Sequence, residues 1–317
     1  MHYQFFAPLN RDLSRLVLGS MVFSMDALDG TYALLDAWRE LGGNIVDLAH
    51  IYQGGNSERA LGRWLQDRGC RDEIVILTKG AHANADRSRV TPEDITSDMR
   101  DSLARLKTDR IDLYVLHRDD PEVPVGPIVE ALNEHVRAGR IRAFGGSNWT
   151  PERLEAANAY AREHGLQPFV LSSPNLSLAV PKEPVWSGCV SAIDPQSMAW
   201  YSRAQMPLFA WSSQARGFFS GLFSPENVGG NELMTRVYDS PENWERLRRA
   251  QELGRKRGCT ATQVALAWVL HQPFPVFPLI GPANVEELKS SVAALEIELS
   301  PEEARWLNLE DGPTDPR

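Results

Sequence analysis

The chain has 317 residues, with 33 Lys and Arg against 42 Asp and Glu, for a formal net charge of −9. That acidity argues against nucleic acid or an anionic membrane as the main partner. No run of eighteen apolar residues occurs, the first residues lack the basic-then-apolar order of a signal peptide, and the three cysteines show no CxxC spacing. A membrane span, a cleaved leader, a metal site and a disulfide framework are therefore not expected, and a reducing, cytoplasmic setting is.

Short apolar runs alternate with helical patterns along the whole chain. Leu16–Gly19 predicts a first strand, and the spacing of apolar residues in Thr31–Leu41 predicts a helix ending at Gly42-Gly43. Asn44–Val46 follows as a strand, and Ser57–Gln66 as a helix with Ser57 at its N-cap. Ile74–Thr78 is a third strand. Thr91-Pro92-Glu93-Asp94 starts the next helix with a capping threonine, a proline at the first position and acid in the first turn. Strands are expected at Ile111–Leu116, Ile141–Gly145, Phe169–Leu171, Leu208–Trp211 and Val276–Ile280. The helices between and after them are Pro127–Ala138, a Thr150-capped helix to about His164, Pro195–Ala204, Asn243–Arg257, Val285–Leu295 and a Ser300-capped one to about Leu309.

Eight nearly all-apolar strands, each followed by a helix, read as parallel strands covered on both faces. One α/β domain over 1–317, a closed (β/α)8 TIM barrel, is the architecture expected. An open doubly wound sheet is the rival, but its Gly-rich first turn is missing, as are a P-loop and a GxSxG elbow. Residues 311–317 (DGPTDPR) are expected to be a flexible tail.

In such a barrel the active site lies at the C-terminal ends of the strands. Polar residues interrupt the apolar runs there: Asp47 ends the second strand, Lys79 the third, His117 the fourth, Ser147 and Asn148 the fifth, and Trp211 the seventh. Tyr52 follows Asp47 in a Gly-rich loop. Each alone has an ordinary structural explanation; together they converge on one rim. Tyr52 has the weakly acidic proton. Lys79 would lower its pKa, Asp47 would hold that lysine charged, and His117 could hydrogen-bond the reacting oxygen. The set suits general-acid assistance to a carbonyl becoming an alcohol. No side chain donates hydride, so a nicotinamide cofactor is implied.

The motifs resemble those of the aldo-keto reductases. GGNIVDLAHIYQGGNSERALG, ILTKG, IDLYVLHRDD, IRAFGGSNWT, FAWSSQARGFFSG and PLIGPANVEELKSSVAAL are similar to the family's linked segments, in order, over nearly the whole chain. The resemblance implies a catalytic set of Asp47, Tyr52, Lys79 and His117. It implies that Ser147 and Asn148 bind the nicotinamide carboxamide, with Ser173 at the place of a usual glutamine. It puts Trp211 where an aromatic ring stacks on the nicotinamide, and Ser212, Gln214, Arg216 and Gly217 along the pyrophosphate. On the eighth strand Gly281, Ala283, Asn284 and Glu287 fall in the adenosine segment. Members preferring NADP usually carry Arg, Lys or Ser after that glycine, whereas here Pro282-Ala283-Asn284 precede Glu286-Glu287. The family favours NADP, and the local chemistry permits NAD, because a carboxylate suits a free ribose hydroxyl.

Met21, Phe23, His50, His82 and Trp149 follow strands one, two, three and five and are the candidate substrate contacts. The segment Phe218–Ser240 could be a lid or a fixed loop, and Leu178–Asp194 is similar in status. The short C-terminal tail suits a polar substrate such as a sugar, or a broad range of aldehydes. The expected function is hydride transfer between NAD(P) and an aldehyde, ketone or sugar, with Tyr52 as general acid or base. Two rivals stand beside it: a dinucleotide-binding regulatory or channel-associated subunit, and a barrel lyase with Lys79 as Schiff base. The oligomeric state is not legible.

Overall fold

In the computed structural model, residues 1–310 are described; the expected tail, 311–317, lies outside the described residues. The chain opens with β1 (Tyr3–Phe6) and β2 (Arg11–Ser14). It continues through β3 (Val17–Gly19), α1 (Leu28–Glu40), β4 (Ile45–Asp47), α2 (Asn56–Arg68), β5 (Val75–Gly80), α3 (Pro92–Leu106), β6 (Ile111–Leu116) and α4 (Val125–Arg137). Next come β7 (Ile141–Ser147), α5 (Pro151–Glu163), β8 (Ser172–Ser173), α6 (Pro195–Ala204) and β9 (Leu208–Ala210). The last part holds α7 (Glu232–Val237), α8 (Pro241–Arg257), α9 (Ala261–Leu270), β10 (Val276–Ile280), α10 (Val285–Ala293) and α11 (Pro301–Leu307). Strands β3 to β10 close into a barrel in which every neighbouring pair is parallel, β10 returning to β3. An open sheet is thereby excluded.

The helix starts follow from local chemistry. Five helices begin with a side-chain acceptor followed by proline: Thr91-Pro92, Thr150-Pro151, Asp194-Pro195, Ser240-Pro241 and Ser300-Pro301. Each capping oxygen takes the N–H three residues on, as in Asp194 accepting from Ser197 at 2.9 Å. The proline has no N–H to leave unpaired, and each cap contributes about 1 kcal/mol. Ser57 is a correction. The residue before α2 is Gly55, in a left-handed conformation, and the Ser57 hydroxyl donates to the Ser20 carbonyl at 3.0 Å. It fastens the loop after β3 to α2 rather than capping the helix.

The sixth barrel strand is also displaced. It forms at Ser172–Ser173, not at Phe169–Leu171. Asn158 of α5 takes both backbone groups of Phe169, accepting its N–H at 2.8 Å and donating to its carbonyl at 3.2 Å, so Phe169 has none left for a ladder. Three elements carry no sequence expectation: the β1–β2 hairpin, α7 and α9. Helix α9 (ATQVALAWVL) is buried on every side, which removes the amphipathic period that marks a surface helix. The hairpin plugs the N-terminal end of the barrel. Phe6, Leu9 and Leu13 join the interior cluster, and the Phe6 ring meets Phe209 and Phe277 edge-on at 6.0 and 6.1 Å.

That interior row positions the site. Successive strand side chains point to opposite faces, so residues two apart share one. The interior holds Ile45 on β4, Val75 and Leu77 on β5, Leu113 and Val115 on β6, Ala143 on β7, Leu171 beside β8 and Phe209 on β9. The next residue in each row is Asp47, Lys79, His117, Gly145 followed by Ser147, Ser173 and Trp211. The site residues therefore continue the apolar interior upward, at its C-terminal end.

Candidate active site

Lys79 is buried and donates to Asp47 Oδ1 at 2.5 Å and to the Leu48 carbonyl at 3.0 Å. Its Nζ is 3.5 Å from Tyr52 Oη and 5.1 Å from the centre of that ring. The Tyr52 ring meets His117 edge-on at 5.7 Å, and His117 meets His82 at 4.8 Å. Four of the sequence-selected residues thus stand in one group, with His82 at its edge. Gly80 makes room: a Cβ there would lie 1.9 Å from Tyr114 Oη and 2.9 Å from Asp98 Cβ, so a larger residue after Lys79 would displace the Tyr114 ring or α3.

The electrostatics differ in one respect from the sequence expectation. Burial pushes the Tyr52 phenol above its usual value; Lys79 pulls it down, Asp47 pushes it up, and burial prevails. Lys79 therefore moderates the phenol pKa rather than setting it low, and Tyr52 holds its proton at neutral pH. Burial also works against charge on Lys79, but Asp47 and Tyr52 outweigh it and its pKa is raised. Burial raises Asp47 as well, against the pull of Lys79. His117 is driven well below the ordinary imidazole range by burial, then by Lys79, Arg118 and His82, so it is neutral. Its Nδ1 is buried and has no partner among the described residues.

Ser147, Asn148 and Ser173 are brought together. Ser147 Oγ donates to the Ser173 carbonyl at 2.7 Å, and Asn148 Nδ2 donates to the His117 carbonyl and to Ser147 Oγ at 3.2 and 3.1 Å. Asn148 Oδ1 accepts from the Val190 N–H at 3.1 Å, and Ser173 Oγ donates to the Phe209 carbonyl at 2.8 Å. Above β9, Ser212, Ala215, Arg216 and Gly217 all have positive φ, a compact turn of the kind that offers peptide N–H groups to an anion. Gln214 donates to Ser291 of α10 at 3.2 Å, joining that turn to the Gly281–Glu287 segment. There Asn284 caps α10, and Glu287 folds back to accept from the Ala283 N–H at 2.8 Å and from Asn284 at 3.2 Å. Trp211 Nε1 is buried without a partner among the described residues. An anion cradle, a helix N-terminus and an unsatisfied indole donor along one rim fit a nicotinamide dinucleotide.

Three of the five expected substrate contacts lie elsewhere. Phe23 and Trp149 are fully enclosed in the layer between barrel and helices and present no surface to a bound molecule. Trp149 packs on Phe169 at 4.9 Å and donates to the Arg118 carbonyl at 3.2 Å. His50 turns toward α3, 3.1 Å from Asp101 and 3.8 Å from Asp98. Met21 and His82 remain on the rim. Sequence reasoning missed Arg118, whose charge bears on His117, and singled out Trp186 only as part of the Leu178–Asp194 stretch, without the site at Trp211 that its ring approaches to 5.8 Å. Neither sits on the period-two row that reveals the others. The segment Phe218–Ser240 is anchored by Phe218, Phe219, Val228, Met234, Val237 and Tyr238, which are buried, while the stretch around Leu222 is exposed.

A closed (β/α)8 barrel thus carries, at the C-terminal ends of its strands, a buried Asp–Lys pair beside a tyrosine and a neutral histidine. Residues 15–308 match the model of the Aldo/keto reductase family, and the chain belongs to that family of NAD(P)-dependent oxidoreductases. It is 32% identical to norsolorinic acid reductase stcV of Emericella nidulans, over 92% of this chain and 76% of that one. It is 30% identical to the uncharacterized oxidoreductase YrpG of Bacillus subtilis, over 97% and 95%. It is 29% identical to an aryl-alcohol dehydrogenase [NADP(+)] of Phanerodontia chrysosporium, over 90% and 77%. The crystal structure of a thermostable aldo-keto reductase with the inhibitor epalrestat has the same fold, with a TM-score of 0.76 over 98% of this chain and 99% of that one at 24% identity. Among the described residues no helix is long and apolar enough to cross a membrane.

Proposed function

We propose that this protein interconverts a carbonyl compound and its alcohol, with Tyr52 passing the proton. The observation that carries this is the approach of Lys79 Nζ to 3.5 Å from a half-buried phenol that keeps its proton at neutral pH. Tyr52 donates to the carbonyl oxygen as it gains charge, and Lys79 steadies the tyrosinate left behind. His117, neutral, offers a hydrogen bond to the same oxygen and takes no charge of its own. Asp47 keeps Lys79 protonated and fixed; a lysine held so does not serve as the neutral amine of a Schiff-base lyase.

A bound nicotinamide supplies the hydride. Ser147, Asn148 and Ser173 would hold its carboxamide, Trp211 its ring, and Ser212, Gln214, Arg216 and Gly217 its pyrophosphate, with Gly281, Ala283, Asn284 and Glu287 at the adenosine. NADP is placed first, in keeping with the relative named for NADP(+), and NAD second.

The substrate class is an aldehyde, ketone or alcohol with an aromatic or apolar body. Relatives are named for norsolorinic acid and aryl alcohols. On this chain Met21, Val22, Met25 and Ile51 stand exposed on the loops after β3 and β4, and this apolar rim favours such a body over a sugar. Titration with NADPH and with NADH, followed by tryptophan quenching, then a screen of aromatic and sugar carbonyls with the tighter binder, tests the proposal. Failure of both dinucleotides to bind would overturn it.

A further inference from the structure

Residues 178–194, between β8 and α6, form a loop over the C-terminal rim. The loop is held on both sides of Trp186. Arg236 of α7 donates to the carbonyls of Pro184 and Val185 at 3.2 and 2.8 Å, and the Lys182 N–H donates to the Val237 carbonyl at 2.8 Å. Beyond the tryptophan, the Cys189 N–H closes a turn onto the Trp186 carbonyl at 3.1 Å. Asn175 donates its N–H to the Val190 carbonyl at 2.9 Å and accepts the Ala192 N–H at 2.8 Å. A side chain carried on so firmly tied a loop has a set position, yet Trp186 remains 40% exposed.

The loop touches three separate members of the dinucleotide site. The Val190 N–H donates to Asn148 Oδ1, the Trp186 ring lies 5.8 Å from that of Trp211 at 36°, and the Arg216 guanidinium sits 5.0 Å above the Trp186 ring. Asn175, which holds the loop, also donates to the Trp211 carbonyl at 3.1 Å. These partners come from the ends of β7 and β9 and from the turn beyond β9, and the Trp186 ring itself meets two of them, Trp211 and Arg216. Arginine over an indole keeps its charge and a defined direction, whereas a free arginine at φ +54° would sample many rotamers.

We propose that Trp186 is a positioning residue for dinucleotide binding: its ring fixes Arg216 toward the pyrophosphate and braces Trp211 for the nicotinamide. This rests on the proposed function and adds to it a residue outside the family motifs. The role is held by geometry alone and involves no bond making.

Calorimetric titration of NADPH and NADH into wild type, Trp186→Ala, Trp186→Phe, Arg216→Ala and the Trp186→Ala/Arg216→Ala double variant tests it. A cation–ring contact of this kind predicts that Trp186→Ala weakens the tighter dinucleotide about 3- to 30-fold. Trp186→Phe should recover most of that loss, because it restores a ring face. The double variant should lose less than the sum of the two single losses, because part of the tryptophan's effect runs through the arginine. Equal affinities for wild type and Trp186→Ala, or fully additive losses in the double variant, would overturn the proposal while leaving the function standing. Wild type that binds neither dinucleotide overturns both. If Trp186→Ala does not fold, Trp186→Leu, which keeps apolar bulk and removes the ring, carries the same comparison.

Discussion

The ammonium of Lys79 donates to the carboxylate of Asp47 at 2.5 Å, from the neighbouring strand, with the two side chains 2% and 3% exposed. In the β4–β5 register Asp47 stands opposite Leu77, and Lys79 is the next residue of that inward row. The pair is thus a product of strand register, closed off by the barrel below and by Tyr52 above.

Removing one partner should be costly. Lys79→Met leaves a buried carboxylate alone, and the expected loss is about 3–5 kcal/mol in urea unfolding. The double variant Asp47→Leu/Lys79→Met should recover much of it. A double variant as unstable as the sum of the singles would show that the two charges do not compensate one another.

Tyr52→Phe should lower carbonyl reduction about 10²- to 10⁴-fold, with dinucleotide affinity nearly unchanged. Because the phenol is raised above its usual value, reduction should be flat through neutral pH, and alcohol oxidation should still be rising at about pH 10. Steady-state rates in both directions across pH check this; an activity retained by the phenylalanine variant would mean that another group supplies the proton.

His117 is neutral in the fold and its pKa is depressed, so the sign for stability is fixed. Above about pH 6.5 neither folded nor unfolded imidazole is charged; below it the unfolded chain binds a proton that the folded site refuses. Stability should fall as pH drops, by about 1.4 kcal/mol per unit for this group. His82 and His135 are lowered too, chiefly by burial, and add in the same direction. His117→Gln should therefore show a shallower decline than wild type in unfolding measured between about pH 7 and about pH 5; an equal slope would count against a buried neutral His117.

Trp149 distinguishes packing from recognition. It is enclosed against Phe169, with Arg153 5.1 Å from its ring centre. Trp149→Ala should cost about 3–5 kcal/mol of stability while leaving the ratio of kcat/KM for large and small carbonyls unaltered. Met21→Ala, on the open rim, should do the reverse. Exchange of those two outcomes would restore Trp149 to the pocket.

Pro282→Arg places a cation in the segment after Gly281, where Pro282, Ala283, Asn284 and Val285 are all uncharged. It should raise the preference for NADPH over NADH by about tenfold, the worth of one charge-assisted contact to a phosphate. Paired dissociation constants measured at one salt concentration decide it.

The sequence by itself determined the barrel, because eight apolar runs with capped helices between them have few other ways to bury both faces of every strand. It also determined which residues meet. Asp47, Lys79 and His117 end consecutive strands, and a period of two leaves them on the inward row, so their convergence needs no knowledge of packing. Only the tertiary structure decided what surrounds them. Burial is a property of the assembled whole, and it set the Tyr52 phenol upward where the lysine alone would have drawn it down. Loop residues obey no such period: Phe23, His50 and Trp149 turned into the layer behind the barrel, while Trp186, from a loop with no motif, came to rest beside Trp211. A strand end tells where a side chain starts and on which face; what it touches beyond the last ladder hydrogen bond depends on contacts far apart in the chain.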